Sequence, residues 1–335
     1  MSSKPLVLVL GATGFTGGSI VQGLLQAGTF NVAAMIRSES LSKPQTEALR
    51  TAGVEIRTGD IYDGVEKLKQ TLEGVEIVIS SVVAYCISDQ KDLIRAAKEV
   101  GVKRVIPCDF ASPGAKGVRE IHDRKLAIRE YVLELGVPHT FIDVGWWMQL
   151  ILPPPARSAV PAAQKPMYNT EYNKGTSPML LTNLHHIGCW VARIVRCRGS
   201  YPRTLNRAAI VWEDIKTQKE MFTIADRVEG EGEAFASSRV YATGDEIRAK
   251  REDAMAAAAA APKDSNLQRS ALVLFHRAGY RVSMHVPEEN TLENTKRLGY
   301  LDVRELYPDM LKYTLEDFAR EFYAMENPGT VRVRD

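Results

Sequence analysis

The feature that most restricts the fold is the opening stretch "LVLVLGATGFTGGSI", five apolar residues followed by glycine at every third position, Gly11, Gly14 and Gly17. A strand ending at Leu10, a glycine-rich turn and a helical pattern from Thr16 onward set a helix N-terminus directly beyond the turn. Free N–H groups and the positive end of the helix dipole converge there, forming an anion site suited to a pyrophosphate. Gly11 is expected to take the tight turn, Gly14 to admit phosphate to the backbone, and Gly17 to let helix and strand pack closely. The G-x-x-G-x-x-G spacing departs from the G-x-G-x-x-G form, so the flanking strand and helix carry the dinucleotide reading.

From Leu6 to Ile142 short β-branched runs alternate with crossovers: "LVLVL", "NVAAMI", "VEIRT", "VEIVISS", "VKRVIP" and "HTFIDV". Val75 to Ser81 is apolar on both faces, as in a parallel sheet covered on each side. The pattern predicts an α/β chain, a doubly wound parallel-sheet Rossmann domain over 1–150 with a second, smaller α/β substrate domain over 151–330. The two are expected to interleave. "LILPPPARSAVPAAQKP" breaks the alternation with proline, "LTNLHHIGCWVARIV" reads as an amphipathic helix, and a strand near 205–213 is expected to return to the main sheet. The alanine-rich Asp253 to Ala261 reads as a solvated helix or linker closed by Pro262.

Lys plus Arg number 43 against 41 Asp plus Glu, and no basic run appears, so nucleic acid is not an expected partner. Cys86, Cys108, Cys189 and Cys197 have no metal or redox spacing and read as reduced thiols. The first apolar run is too short for a secretory core or a membrane span, which leads to a cytoplasmic expectation. His185 and His186 diverge on a helix with no third ligand at metal spacing, so no metal is expected. A small molecule is the expected partner, and a homodimer is compatible with the chain.

The second strand ends "AAMIRSES", with Arg37 where an NAD site usually carries an acid and Ser38 beside it. A guanidinium there suits a 2′-phosphate, so NADPH is the expected cofactor. Asp60 and Asp63 in "GDIYD" are expected to cap a helix, the alternative being a contact near the adenine.

No tyrosine is followed four places on by lysine, so the usual Tyr-x-x-x-Lys acid is missing. In "EIHDRKLAIREYVLELG" the apolar stripe Ile121, Ile128, Val132 and Leu135 is shared by Lys125. This helix starts near the carboxyl ends of the strands, where a partly desolvated amine would suit proton transfer. At the same rim stand Cys108, Asp109 and Phe110 of "PCDFASPG" and Gly145, Trp146 and Trp147 of "DVGWWMQ", whose indoles offer flat apolar walls. Cys108 is not expected to act as a nucleophile.

On "GATGFTGGSI", "IRSES", "DQKDLIRAAKEVGVKRVIPCDF", "KLAIREYVLELGVPHTFIDVGWW", "YPRTLN" and "ELYPDMLKYTLEDFAREF", the chain resembles the isoflavone reductase and phenylcoumaran benzylic ether reductase family, within the NmrA-like branch of atypical short-chain dehydrogenases. The resemblance runs end to end. It implies a Rossmann domain plus a substrate domain, NADPH as cofactor, conjugated aromatic substrates, Lys125 as the catalytic lysine and Arg37 as the 2′-phosphate ligand. Expected against the cofactor are Gly11, Thr13, Gly14, Phe15, Thr16, Gly17, Arg37, Ser38, Ser81, Val82, Phe110 and Lys125. The substrate pocket is expected to draw on Cys108, Asp109, Gly145, Trp146, Trp147, Tyr168 and Tyr172. Cys108-Asp109-Phe110 replaces a Ser-Glu-Phe-like segment of the family, Gly145-Trp146-Trp147 replaces an Asn-containing one, and 229–262 has no clear counterpart, so substrate identity does not transfer. A dinucleotide-sensing regulator without turnover is the alternative, disfavoured because leucine would serve a sensor better than Lys125.

Overall fold

The computed structural model describes residues 4–196, 201–230 and 232–329; Cys197 lies outside them. Every apolar run predicted as a strand before residue 145 contains one: β1 (Leu6–Leu10), β2 (Asn31–Ile36), β3 (Glu55–Thr58), β4 (Ile77–Ser80), β5 (Arg104–Ile106) and β6 (Thr140–Val144). The first five form a parallel sheet in the order β3-β2-β1-β4-β5. A parallel bridge between Val105 and His139 joins β5 to the start of β6.

Between them lie α1 (Phe15–Ala27), α2 (Pro44–Thr51), α3 (Val65–Thr71), α4 (Lys91–Glu99) and α5 (Glu120–Leu135). Alternation along β1 sends Val7 and Val9 to one core with Ile20 and Leu24 of α1. Leu8 and Leu10 meet Leu68 of α3, Leu93 of α4 and Val132 of α5 on the other face. Each such side chain taken from water is worth about 1.5–3 kcal/mol, and both faces are covered, as continuous apolar strands require. The fold is a doubly wound Rossmann-type sheet.

Beyond β6 the chain forms β7 (Trp146–Trp147), β8 (Thr170–Tyr172), β9 (Met179–Thr182), β10 (Arg207–Val211), β11 (Asp214–Lys216), β12 (Val240–Ala242) and β13 (Leu301–Asp302). The late strand β10 pairs in parallel with β6, Arg207 against Thr140 through Val211 against Val144, and β13 adds to its other edge. β9 pairs with β7 and β11, and β8 with β12. The predicted amphipathic helix is Ile187–Val195; Ser19 Oγ of α1 donates to the His185 carbonyl and accepts from the Gly188 N–H, tying the two helices together.

Two expectations need correction. The alanine run is the end of a longer helix, Gly244–Ala260, started by a capping box between Thr243 and Glu246. Ala254 and Ala258 are buried on it, and it packs against the helix Asn266–His285, so it is neither linker nor solvated all round. Asp60 and Asp63 cap no helix: α3 begins after Gly64 with no side-chain cap. The two carboxylates instead close their own turn, Asp63 accepting from Asp60 N–H and Asp60 from Tyr62 N–H. Among the described residues no helix is long and apolar enough to cross a membrane, and Cys86, Cys108 and Cys189 are free thiols.

Candidate active site

The first part of the site is the turn between β1 and α1. Gly11 has φ +71°, and a Cβ there would lie 2.3 Å from the Ser81 carbonyl; one on Gly17 would lie 2.1 Å from the Gly11 carbonyl. The turn therefore closes onto the end of β4 with no room for side chains, and Ser81 Oγ donates to the Leu10 carbonyl at 3.1 Å. Gly14 is the N-cap of α1, with no side-chain cap and no acid in the first turn. The first amides of a helix have no intrahelical acceptor, and with the dipole they fit a pyrophosphate. Phe15 is exposed, while Thr13 and Thr16 are half-buried. Arg37 follows β2 directly, is largely exposed, and meets Glu39 at 3.1 Å; Ser38 opens the short 3-10 turn after it.

The second part is the segment 107–119 and α5. Lys125 is 7% exposed, and its Nζ donates to the Asp109 carbonyl. Among the described residues it forms no ion pair. A buried ammonium held by a carbonyl alone is costly as pure structure. The face of α5 that Lys125 shares is less apolar than the stripe implied, since His122 and Arg129 are buried on it while Ile121 and Leu135 are half-buried. His122 Nε2 donates to the Gly114 carbonyl at 2.8 Å, leaving Nδ1 buried without a partner. Burial, reinforced by the Arg119 charge, pulls its pKa down to about 3.

The rim residues of 108–110 turn inward. Cys108 donates its thiol to the Val82 carbonyl at 3.1 Å and its N–H is held by Gln90 Oε1; burial pushes the thiol pKa up, the wrong direction for a nucleophile. Phe110, at φ +38°, is buried in the core beneath α1 and its N–H donates to the Ile142 carbonyl. Asp109 is buried with its carboxylate on Arg129 Nε at 3.1 Å. Arg129 also holds Asp143 at 2.7 Å and donates to the Tyr300 hydroxyl at 2.6 Å, and Tyr300 closes the network by donating to Asp143. Burial raises the Asp109 pKa to about 6 against the pull of Arg129; in Asp143 the same guanidinium, helped by the Tyr300 hydroxyl, outweighs burial and lowers it. Arg129, Asp143, Tyr300 and His122 went unread in the sequence. The available signals were Asp143, a charge inside a buried strand, and Arg129, a charge on the stripe of Lys125.

The third part is the crevice at β7. A Cβ on Gly145 would lie 2.7 Å from the Leu180 carbonyl carbon, so β7 can approach β9 only with glycine there. Its two indoles diverge, as strand alternation requires. Trp147 packs on the α1-side core. Trp146 enters a narrow crevice with Tyr168, Met167, Met221, Phe222 and Arg281. Tyr172 stands at its edge, stacked on His285 and under Arg281. Arg119, which donates to the Ser112 and Pro113 carbonyls, lies over Tyr280, and Tyr280 touches Trp146; the crevice thus communicates with the segment leading into α5. Arg281 and the methionines could not be read from spacing, because the helix carrying Arg281 lies 135 residues from Trp146 in sequence.

Residues 3–186 match the model of the NmrA-like family. The chain is 33% identical over 327 residues, 94% of both chains, to an asnovolin J 5′,6′-dehydrogenase of Aspergillus novofumigatus. It is 26% identical, over 96% of its length and the whole of the relative, to a phenylcoumaran benzylic ether reductase of Betula pendula. The leucoanthocyanidin reductase of Vitis vinifera in its binary complex with NADPH superposes with a TM-score of 0.73 at 20% identity, over 96% of this chain and all of that one. The chain belongs to the NmrA-like family and is one of its oxidoreductases.

Proposed function

We propose that the chain is an NADPH-dependent reductase of a conjugated, aromatic small metabolite, with Lys125 managing the proton. The observation that carries this reading is the buried Lys125 amine of α5, which has no ion-pair partner among the described residues and reaches the Asp109 carbonyl, on the segment that Cys108 ties to Val82 just past β4. The turn and the first amides of α1 hold the pyrophosphate, and Arg37 takes the 2′-phosphate once it leaves Glu39. NADPH, when bound, supplies the hydride. Lys125 spends one N–H on the Asp109 carbonyl; a further N–H is directed to the substrate oxygen, where it stabilises negative charge and delivers the proton. Trp146 and the methionines of the crevice supply an apolar, water-poor wall.

The dehydrogenase relative favours a second direction for the same site, in which Lys125 takes part in proton removal while hydride leaves the substrate for NADP+. Both are tested by following NADPH oxidation and NADP+ reduction against quinones, enones, imines and benzylic ethers with their reduced counterparts. Lys125→Met is expected to bind NADPH within about twofold of wild type and to lose about 10²–10⁴-fold in turnover, the range for general acid–base catalysis. Wild-type rates in that variant would remove Lys125 from the chemistry. A regulator that senses the dinucleotide would turn over none of the panel.

A further inference from the structure

The crevice at Trp146 has an unbalanced set of polar groups. Trp146 Nε1–H is buried without an acceptor among the described residues. Arg281 makes no ion pair among the described residues; its guanidinium lies over the Trp146 ring at 5.7 Å and the Tyr172 ring at 4.9 Å. Gln218, the amide on the lining, is already spent, with Oε1 accepting from Tyr172 N–H at 2.8 Å and Nε2 donating to the Thr170 carbonyl at 3.1 Å. Among the described residues no carboxylate lines the crevice, and its remaining walls are Leu150, Ile151, Met167, Met179, Met221 and Phe222, with Tyr168. What is left unmet is therefore one buried neutral donor and one planar cation, both nitrogen, set among apolar and polarisable groups. A buried donor without an acceptor is costly, and a guanidinium that meets two ring faces and no carboxylate among the described residues keeps its N–H donors for a planar anion.

We propose that this crevice binds a flat, apolar molecule carrying an anionic oxygen, a carboxylate or an enolate, which Arg281 receives on its N–H edge and Trp146 Nε1 caps with a hydrogen bond. The crevice has about 20 Å³ of free space, so the ring system enters only as the methionines swing aside, which their flexible thioethers allow. On the reductase reading this molecule is the substrate, so the inference names the substrate class, acidic and conjugated, and makes Arg281 and Trp146 its specificity-determining residues.

The test is equilibrium binding of 2-naphthoate and 2-naphthamide, equal in shape and different in charge, to the full chain loaded with NADPH, followed by calorimetry. The naphthoate is expected to bind at least tenfold more tightly. Arg281→Met, which keeps an apolar stem, is expected to lose at least tenfold for naphthoate while holding naphthamide within threefold. Arg281→Lys, retaining charge without the planar fork, keeps part of the preference, and Trp146→Phe weakens both ligands because each presents an oxygen to the indole. Equal binding of the two compounds by wild type, no binding of either, or a preference that survives R281M overturns the inference, and the wild-type comparison decides it even if R281M does not fold. NADPH affinity measured in the same samples keeps the two readings apart: its absence strikes the reductase assignment, whereas its presence without charge preference strikes only this one.

Discussion

On the proposed reading, coenzyme preference comes from a contest between two anions, the Glu39 carboxylate and a 2′-phosphate, for the Arg37 guanidinium. The Arg37–Glu39 ion pair is exposed, and pairs of that kind contribute about 0–1 kcal/mol. A 2′-phosphate offers more charge and more acceptor oxygens, and a charge-assisted contact is worth about 1.5–3 kcal/mol. Arg37→Gln is therefore expected to weaken NADPH by about that amount while leaving NADH nearly unchanged, and Glu39→Gln to tighten NADPH a few-fold by freeing the guanidinium. Fluorescence titration with both coenzymes checks this; equal losses for NADPH and NADH in R37Q would end the phosphate assignment. Arg37 and Lys125 stand out in the sequence because each breaks a local pattern, a cation at a strand end and an amine on an apolar stripe; the structure bears out the burial of Lys125, and the proposed roles rest on the experiments above. Arg129 breaks the same stripe, yet its partners Asp109, Asp143 and Tyr300 lie up to 171 residues away, and nothing local distinguishes such a clasp from a solvated arginine.

At the scale of elements, the strands were legible where burial on both faces removes polar residues from them, as in β4, where all four residues are buried. The small pairings β7–β9 and β8–β12 were not, since two or three residues hold no period and their partners are 35 and 70 residues apart. Helix ends followed caps more than composition, which is why the Thr243 box starts a helix that the alanine run alone placed nine residues too late. The contact between β1, β4 and α1 depends on one element approaching another without a side chain between them. Gly17→Ala would set a methyl 2.1 Å from the Gly11 carbonyl and 2.6 Å from Ser81 Oγ, whereas Gly18→Ala meets nothing nearer than the Ala12 carbonyl at 3.6 Å. G17A is expected to push α1 off the sheet, lowering Tm and weakening NADPH at least tenfold. G18A is expected to keep its NADPH affinity and to gain about 0.5–1 kcal/mol from helix propensity. Similar behaviour of the two variants in calorimetry and nucleotide titration would mean that the turn has slack the geometry denies it.

Across the whole molecule, stability is tied to pH by histidines kept neutral in two separate places. His122 sits under the site at the start of α5, and His285 lies at the end of the helix Asn266–His285, stacked on Tyr172. Burial lowers both pKa values to about 3. An unfolded histidine titrates near 6.5, so between pH 3 and 6.5 the unfolded chain binds more protons than the folded one at these sites, and folding stability rises with pH. Asp109 opposes them over its own narrower window: with a folded pKa of about 6 against an unfolded value near 3.9, the folded state holds the extra proton there and stability falls as pH rises. Each such group contributes about 1.4 kcal/mol per pH unit, so His122 and His285 against Asp109 leave a rise of about 1–2 kcal/mol per unit between pH 5 and 6; His139, His185 and His276, also lowered by burial, add to it, and His186, raised by its hydrogen bond to Glu213, opposes it. Urea unfolding at half-unit steps is expected to trace that slope. In His285→Phe, which retains a ring to stack on Tyr172 and leaves the backbone carbonyl to accept from Asn173, the slope drops by about 1 kcal/mol per unit. An unchanged slope in that variant would place the imidazolium of the folded chain in water, and the packing of that helix against Tyr172 would have to be looser than its stacked ring indicates.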